Sequence, residues 1–509
     1  MKIKRIAIVG GGNAGWLAAN HLGLEMLRDP EIEITLIESK DIPVIGVGEG
    51  TVPLIRGSLQ SFGISESDIL LRCDATFKTA IKFSNWMSTE KYGPDNFYYH
   101  SFDAPFPGGF DVTQYWLGNR ADTYFSKLSP TYYVAERNRC PKRTDSPPYK
   151  GLVNYAYHFD AAKFTSLLTD NAKKRFGIRH IYETIKQVQL HADGSIKGLH
   201  YESGGSEDFD FYIDCSGFAS LLIGAAFKVP FIDKTQQILT DTALALQVPT
   251  DPDAALFPYT KAVAQDAGWI WDIPLTTRRG TGLVYSAQHM TDDEALAAFS
   301  RYHGKDLENA NVRKIPMKAG YRQKPWEKNC VALGLAQGFV EPLEATSLFV
   351  TDFCAGMIAK KIPYQSEEIP VYQKSCNEIS TLIWERIFDF IQLHYCISDR
   401  RDTSFWRDVT ERVALSELLS ERLALWRYAV PQRADFASTF DFFHTESYLS
   451  VLYGMDFPTR APVVGERLSV FSREKISSHL EKSKHMADAL MPQRQWLTEL
   501  NKFAAKKAM

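Results

Sequence analysis

The run Gly10-Gly11-Gly12-Asn13-Ala14-Gly15 has the residue types and spacing that cradle a pyrophosphate. Gly10 suits a tight turn, Gly12 lets the backbone approach phosphate oxygens, and Gly15 lets a helix pack closely on a strand. Glu38 stands 23 residues after Gly15, where a carboxylate accepts from a ribose hydroxyl. The chemistry implied is dinucleotide binding. Three further groups carry reactive side chains in less decisive patterns. Lys78 and Lys82 lie four apart on a predicted strand and share a face, which on periodicity alone reads as solvated surface. Trp269 and Trp271, in Gly268-Trp269-Ile270-Trp271-Asp272-Ile273-Pro274, point to one side of a strand and on spacing alone read as core. Glu344, in Pro342-Leu343-Glu344 ahead of a helical stretch, is a charge that the helix dipole favours at that end.

The elements that must position these residues follow from hydrophobic periodicity. A buried-strand run at 5–9 enters the glycines, an apolar helical pattern follows, and a second strand at 34–37 leads into Glu38. Two distant apolar runs, 209–218 and 330–336, end in glycine-bearing turns, the second before a predicted helix at 345–359. Strand ends that return to the first nucleotide fold from so far along the chain fit an FAD-binding domain with an insertion better than a simple NAD dehydrogenase. Gly280-Thr281-Gly282 lacks the third glycine, so no second nucleotide motif for NADPH is visible. Residues 185–190 and 196–201, joined by Ala192-Asp193-Gly194, read as a hairpin. The predicted fold is therefore α/β. A Rossmann-like FAD domain occupies residues 1–350 with a β-rich substrate insert at about 75–330, and a helical, substrate-covering part occupies 351–509.

Composition excludes several classes. With 509 residues, 58 basic and 61 acidic side chains and a net charge of -3, the chain lacks the basic surface that nucleic acid or an anionic membrane needs. The longest apolar stretches, such as 218–227, are about ten residues and too short for a bilayer. The seven cysteines are never closer than 20 residues, and the twelve histidines form no HxH or HxxxH pair. Reduced thiols in a cytoplasmic protein with no metal are expected.

The tryptophan segment resembles the WxWxIP pattern of the flavin-dependent halogenases, the tryptophan halogenase family. Other motifs follow in the family's order. Gly10 to Trp16 is similar to its glycine motif, and Gly46-Val47-Gly48-Glu49-Gly50-Thr51-Val52-Pro53 to its flavin-covering strap. Residues 75–83 are similar to the segment with its essential lysine. Tyr155-Ala156-Tyr157-His158-Phe159-Asp160, Gly280-Thr281-Gly282 with Tyr285, residues 338–344 and His394-Tyr395 continue the match. The resemblance implies that Gly10, Gly12, Ala14, Gly15, Glu38, Gly48, Glu49, Leu335 and Leu348 hold FAD. It implies that FADH2 from a separate NAD(P)H-dependent reductase reacts with O2 to a flavin hydroperoxide, which chloride or bromide attacks to give hypohalous acid. The acid then passes through a tunnel to Lys78, which directs halogen onto an aromatic carbon, and Glu344 polarises the oxidant or takes the ring proton. Trp269 and Trp271 would keep substrate off the flavin. The resemblance also admits a homodimer.

Two departures bear on specificity. Where the family commonly has Ser-Thr-Gly after Pro-Leu-Glu, this chain has Ala345-Thr346-Ser347. Backbone N–H groups of Thr346 and Ser347 would still hold the halide, with preference between chloride and bromide altered. His100 and Phe102 resemble the pair that sandwiches the aromatic substrate. The region at 436–454, which in the family grips the amino acid with paired tyrosines and a tryptophan, has no tryptophan, and Tyr448 is followed by Leu449. Indole or another electron-rich aromatic is therefore expected in place of free tryptophan. The alternatives are a single-component flavin hydroxylase, whose usual Gly-Asp motif is here Gly334-Leu335, and a non-catalytic flavoprotein.

Overall fold

The computed structural model describes residues 2–42 and 49–508. The chain forms two compact units, each of three segments. One comprises Met1–Asp74, Phe159–Lys234 and Lys318–Trp384, and the other Ala75–His158, Thr235–Met317 and Glu385–Met509.

The first unit is built on a six-stranded sheet in the order Trp326–Glu327, Cys330–Ala332, Phe211–Asp214, Arg5–Val9, Glu33–Glu38, Arg179–Tyr182. All its pairings are parallel except the two-residue edge strand. Parallel strands are covered on both faces and read as continuous apolar runs, and Ile6, Ala7 and Ile8 are indeed fully buried. The strand Arg5–Val9 leads through the glycines into the helix Asn13–Met26. Gly10 has φ +113°, and a Cβ there would lie 2.2 Å from the Cys215 carbonyl oxygen. One on Gly15 would lie 1.9 Å from the carbonyl oxygen of Gly10. Both contacts are far inside van der Waals distance, so this turn needs its glycines. Gly10→Ala is expected to cost about 3 kcal/mol or more, read as loss of FAD retention and a lowered thermal midpoint. The stretch 159–234, which lies within the interval 75–330, belongs to this unit and supplies the antiparallel hairpin Ile185–Leu190 and Ile196–Tyr201.

The second unit carries a seven-stranded sheet in the order Arg313–Pro316, Thr242–Pro249, Arg278–Tyr285, Gly268–Pro274, Tyr259–Gln265, Ala80–Ser84, Phe97–Ser101. Only Tyr259–Gln265 and Ala80–Ser84 run parallel. Helices follow to its end, including Ser404–Glu411, Thr445–Gly454, Glu466–Ala489 and Gln493–Ala508. The single strand expected through Lys78 and Lys82 is two strands, Thr76–Lys78 and Ala80–Ser84. Between them Thr79 donates both its backbone N–H (2.7 Å) and its hydroxyl (2.8 Å) to the Pro258 carbonyl, which pulls the chain out of line. Thr76–Lys78 pairs instead with Ala156–Phe159, Lys78 opposite Ala156.

Candidate active site

In the first unit the helix Asn13–Met26 starts with no side-chain cap at Gly12, and nothing lies within 4 Å of where a Gly12 Cβ would stand. Uncapped N–H groups beside open space fit a pyrophosphate. Glu38 folds over this turn: its Oε2 occupies the place of a Cβ on Gly11. The carboxylate is held by His180 Nε2 at 2.7 Å, whose ring meets Trp16 edge-on at 4.9 Å. Gly334, at φ +62°, abuts Ala14, and half-buried Leu335 follows it in the turn Gly334–Ala336. Leu348 lines a recess with Thr51, Val52 and Ile55. Burial pushes the Glu49 carboxyl up to about 7, while Gly48 lies outside the described residues. The cradle fits FAD, and His180 is a partner of Glu38 that the sequence did not signal.

The same unit carries the Pro-Leu-Glu turn. Pro342–Glu344 forms a single 3-10 turn, with Glu344 only 2% exposed. Ala345 follows in the left-handed region at φ +55° and N-caps the helix Thr346–Ala359 without a side-chain hydrogen bond. Thr346 is completely buried, and its hydroxyl has no hydrogen-bond partner among the described residues. Half-buried Ser347 is the next residue of the first turn. An uncapped helix start with a buried hydroxyl in want of a partner is suited to an anion.

In the second unit Lys78 is completely buried, its Nζ 5.3 Å from the centre of the Phe102 ring. The surface reading of this lysine fails, whereas Lys82 pairs with Glu136 at 2.8 Å and stays part-exposed. His158, on the strand paired with that of Lys78, is buried between two hydroxyls: Nδ1 lies 3.1 Å from Thr76 Oγ1 and Nε2 2.9 Å from Thr260 Oγ1. Thr76 Oγ1 donates to the Pro274 carbonyl at 2.7 Å. It can therefore only accept from His158, which puts the ring proton on Nδ1. Burial, aided by the Lys78 charge, holds the imidazole well below its ordinary pKa, so it is neutral. This network fastens the lysine strand to the end of the Gly268–Pro274 strand.

Trp269 and Trp271 stand on one side of that strand, ring centres 6.4 Å apart, both buried. Neither indole N–H has a hydrogen-bond partner among the described residues. A Cβ on Gly282 would strike the Trp271 ring at 2.1 Å. Gly282, paired with Trp271 across the sheet, thus makes room for that tryptophan.

Phe102 lies beneath Lys78, and His100 faces Phe390 (5.7 Å) and Phe443 (6.3 Å), which stack on each other at 3.9 Å. Tyr448 meets Phe390 at 5.0 Å and is buried. Phe390 and Phe443 were not signalled by the sequence. Beside this aromatic group lie four buried or half-buried charges that the sequence also left unmarked, with Arg386 on Asp389 at 2.9 Å and Arg422 on Asp441 at 3.5 Å.

Residues 5–467 match the tryptophan halogenase family model. The chain belongs to the tryptophan halogenase family. It is 34% identical over 490 residues to tryptophan 7-halogenase RebH of Lentzea aerocolonigenes, covering 91% of each chain. Among solved structures it resembles the tryptophan halogenase of Shewanella frigidimarina NCIMB 400, with TM-score 0.94, 34% identity, and 99% and 98% of the two chains covered. It also resembles BrvH, a flavin-dependent halogenase from Brevundimonas sp. BAL3, with TM-score 0.87, 30% identity, and 98% and 99% covered. This halogenase is a flavin-dependent enzyme with the α/β fold of its relatives. Among its described residues no group of three metal-ligating side chains occurs, and no helix is long and apolar enough to cross a membrane.

Proposed function

We propose that this halogenase uses FADH2 from a separate reductase, with O2 and chloride or bromide, to halogenate an electron-rich aromatic such as indole. The observation that carries the reading is Lys78, a lysine with no exposure, set over an aromatic ring in a chain that retains the flavin cradle. Bound reduced flavin supplies, with O2 and halide, the hypohalous acid that is the halogenating agent.

The chain's own residues do the rest. The first-turn N–H groups of Thr346 and Ser347, with the Thr346 hydroxyl, hold the halide. The Lys78 ammonium donates to the oxygen of hypohalous acid, so that as the aromatic carbon bonds halogen, the oxygen–halogen bond breaks and water leaves. Glu344 takes the proton from the substituted ring carbon, restoring aromaticity. Trp269 and Trp271 keep substrate off the flavin, with indole N–H groups that have no hydrogen-bond partner among the described residues. The seven cysteines form no disulfide among the described residues, which suits the reducing cytoplasm.

For substrate choice, the region 436–454 contains no tryptophan, and the Phe390 and Phe443 rings beside His100 are stacked. This favours a neutral ring over a free amino acid. With FAD, a flavin reductase, NADH and bromide, mass spectrometry should detect monobromoindole and little bromotryptophan. Efficient turnover of tryptophan with a low Michaelis constant, and none of indole, would reject the assignment. The protein alone should not oxidise NADPH, because its reduced flavin comes from the separate reductase.

A further inference from the structure

Asp352 is the buried carboxylate that the chemistry above leaves unused. It sits in the helix Thr346–Ala359, nearly two turns beyond the residues assigned to the halide, with its side chain 3% exposed. Two separate elements hang on it. Ser58, in the helix Ile55–Ser61 just after the strap segment, donates its hydroxyl to Oδ2 at 2.7 Å. His21, in the helix Asn13–Met26 that opens at the pyrophosphate cradle, places Nε2 2.8 Å from Oδ1. The His21 ring is fixed from behind, edge-on to Phe62 at 4.7 Å. One turn on from Asp352, the absence of a side chain at Gly356 lets His21 approach, as a Cβ there would lie 3.1 Å from its ring.

The recess bounded by Thr51, Val52, Ile55, Leu348, Phe349 and Asp352 joins the same parts. The end of the strap segment and the first turn of the helix that begins with Thr346 line it together, with Asp352 among the lining side chains. Neither oxygen of the carboxylate is spare, and each holds a different part of the nucleotide fold to one helix.

We propose that Asp352 is a positioning residue that couples flavin binding to halide binding. The inference rests on the halide assignment to Thr346 and Ser347. Flavin seats the cradle helix and the strap-following helix, and through His21 and Ser58 these set the start of the helix that binds halide. An anion at that start favours the same arrangement. The coupling is reciprocal, as linkage requires.

The test is the FAD dissociation constant of the apoprotein, measured by fluorescence titration in gluconate and again in saturating bromide. In the parent protein bromide should tighten FAD roughly fivefold or more, the lower range of site–site coupling. Asp352→Asn and Ser58→Ala should bring that ratio to about one, whereas Ser58→Thr, which keeps the hydroxyl, should retain it. Ser58→Ala is the fallback if Asp352→Asn does not fold, with circular dichroism checking each variant. An unchanged ratio in Asp352→Asn or Ser58→Ala overturns the proposal, as does a parent ratio of one. Tighter bromide binding in Asp352→Asn overturns it too, because the charge would then merely repel the anion. Ser347→Pro separates the underlying assignment. Proline is tolerated in a first helical turn but removes the N–H, so this variant should lose the bromide effect. If it keeps the effect in full, the halide is bound elsewhere and the assignment itself fails.

Discussion

Replacing Lys78 with alanine is expected to abolish halogenated product, by roughly 10³-fold or more, while FAD binding stays within about twofold of the parent. The side chain is completely buried, and a buried ammonium is costly unless something is gained from it. Its removal should not weaken the fold by the loss of charge, only by the space left behind. Lys78→Met fills that space with an apolar chain and should show the same catalytic loss with native stability. His158 reports on the charge from inside the protein. Burial depresses its pKa and the Lys78 charge adds to the effect, so deleting the positive charge moves the imidazole pKa upward, though burial keeps it below its ordinary value. Histidine NMR titration of parent and variant reads this shift. Product formation persisting in Lys78→Met would show that another group delivers halogen. An unshifted His158 would show that Lys78 carries no charge.

What the sequence revealed was what depends on neighbours in the chain. The turn from Gly10 to Gly15, the pairing side of Trp269 and Trp271, and the hairpin at 185–201 are decided by local spacing, and each appears where it was expected. Lys78 was misjudged by periodicity because its strand is broken by a carbonyl 179 residues further on. Likewise Glu38 is oriented by His180, 142 residues away, and Phe390 meets Phe443 from a segment outside its own helix. Such partners leave no periodic trace. The family resemblance singled out Lys78, which is buried, yet it too was silent on the network of Thr76, His158 and Thr260 that holds the lysine strand in place.

Glu344→Gln is expected to lower the turnover number by about 10²–10³ and leave FAD and halide affinities nearly unchanged. The side chain is 2% exposed in a turn fixed by the left-handed Ala345, so glutamine, with the same shape, keeps the backbone donors of Thr346 and Ser347 in place. It still accepts hydrogen bonds but cannot take the proton that the substituted ring must lose. The pH profile separates this from a structural effect. A base acts only when deprotonated, so parent activity should fall on the acid side as Glu344 protonates, and the residual activity of Glu344→Gln should lack that limb. Glu344→Asp, which keeps the carboxylate but withdraws it by one methylene, should show an intermediate rate with the limb retained. The other role open to a carboxylate before a helix is to complement the dipole, worth about 0.3–1 kcal/mol. In that case Glu344→Gln would lower the thermal midpoint slightly and leave both rate and pH profile intact. The two roles therefore predict opposite patterns from one variant: loss of rate at constant stability for the base, loss of stability at constant rate for the helix charge.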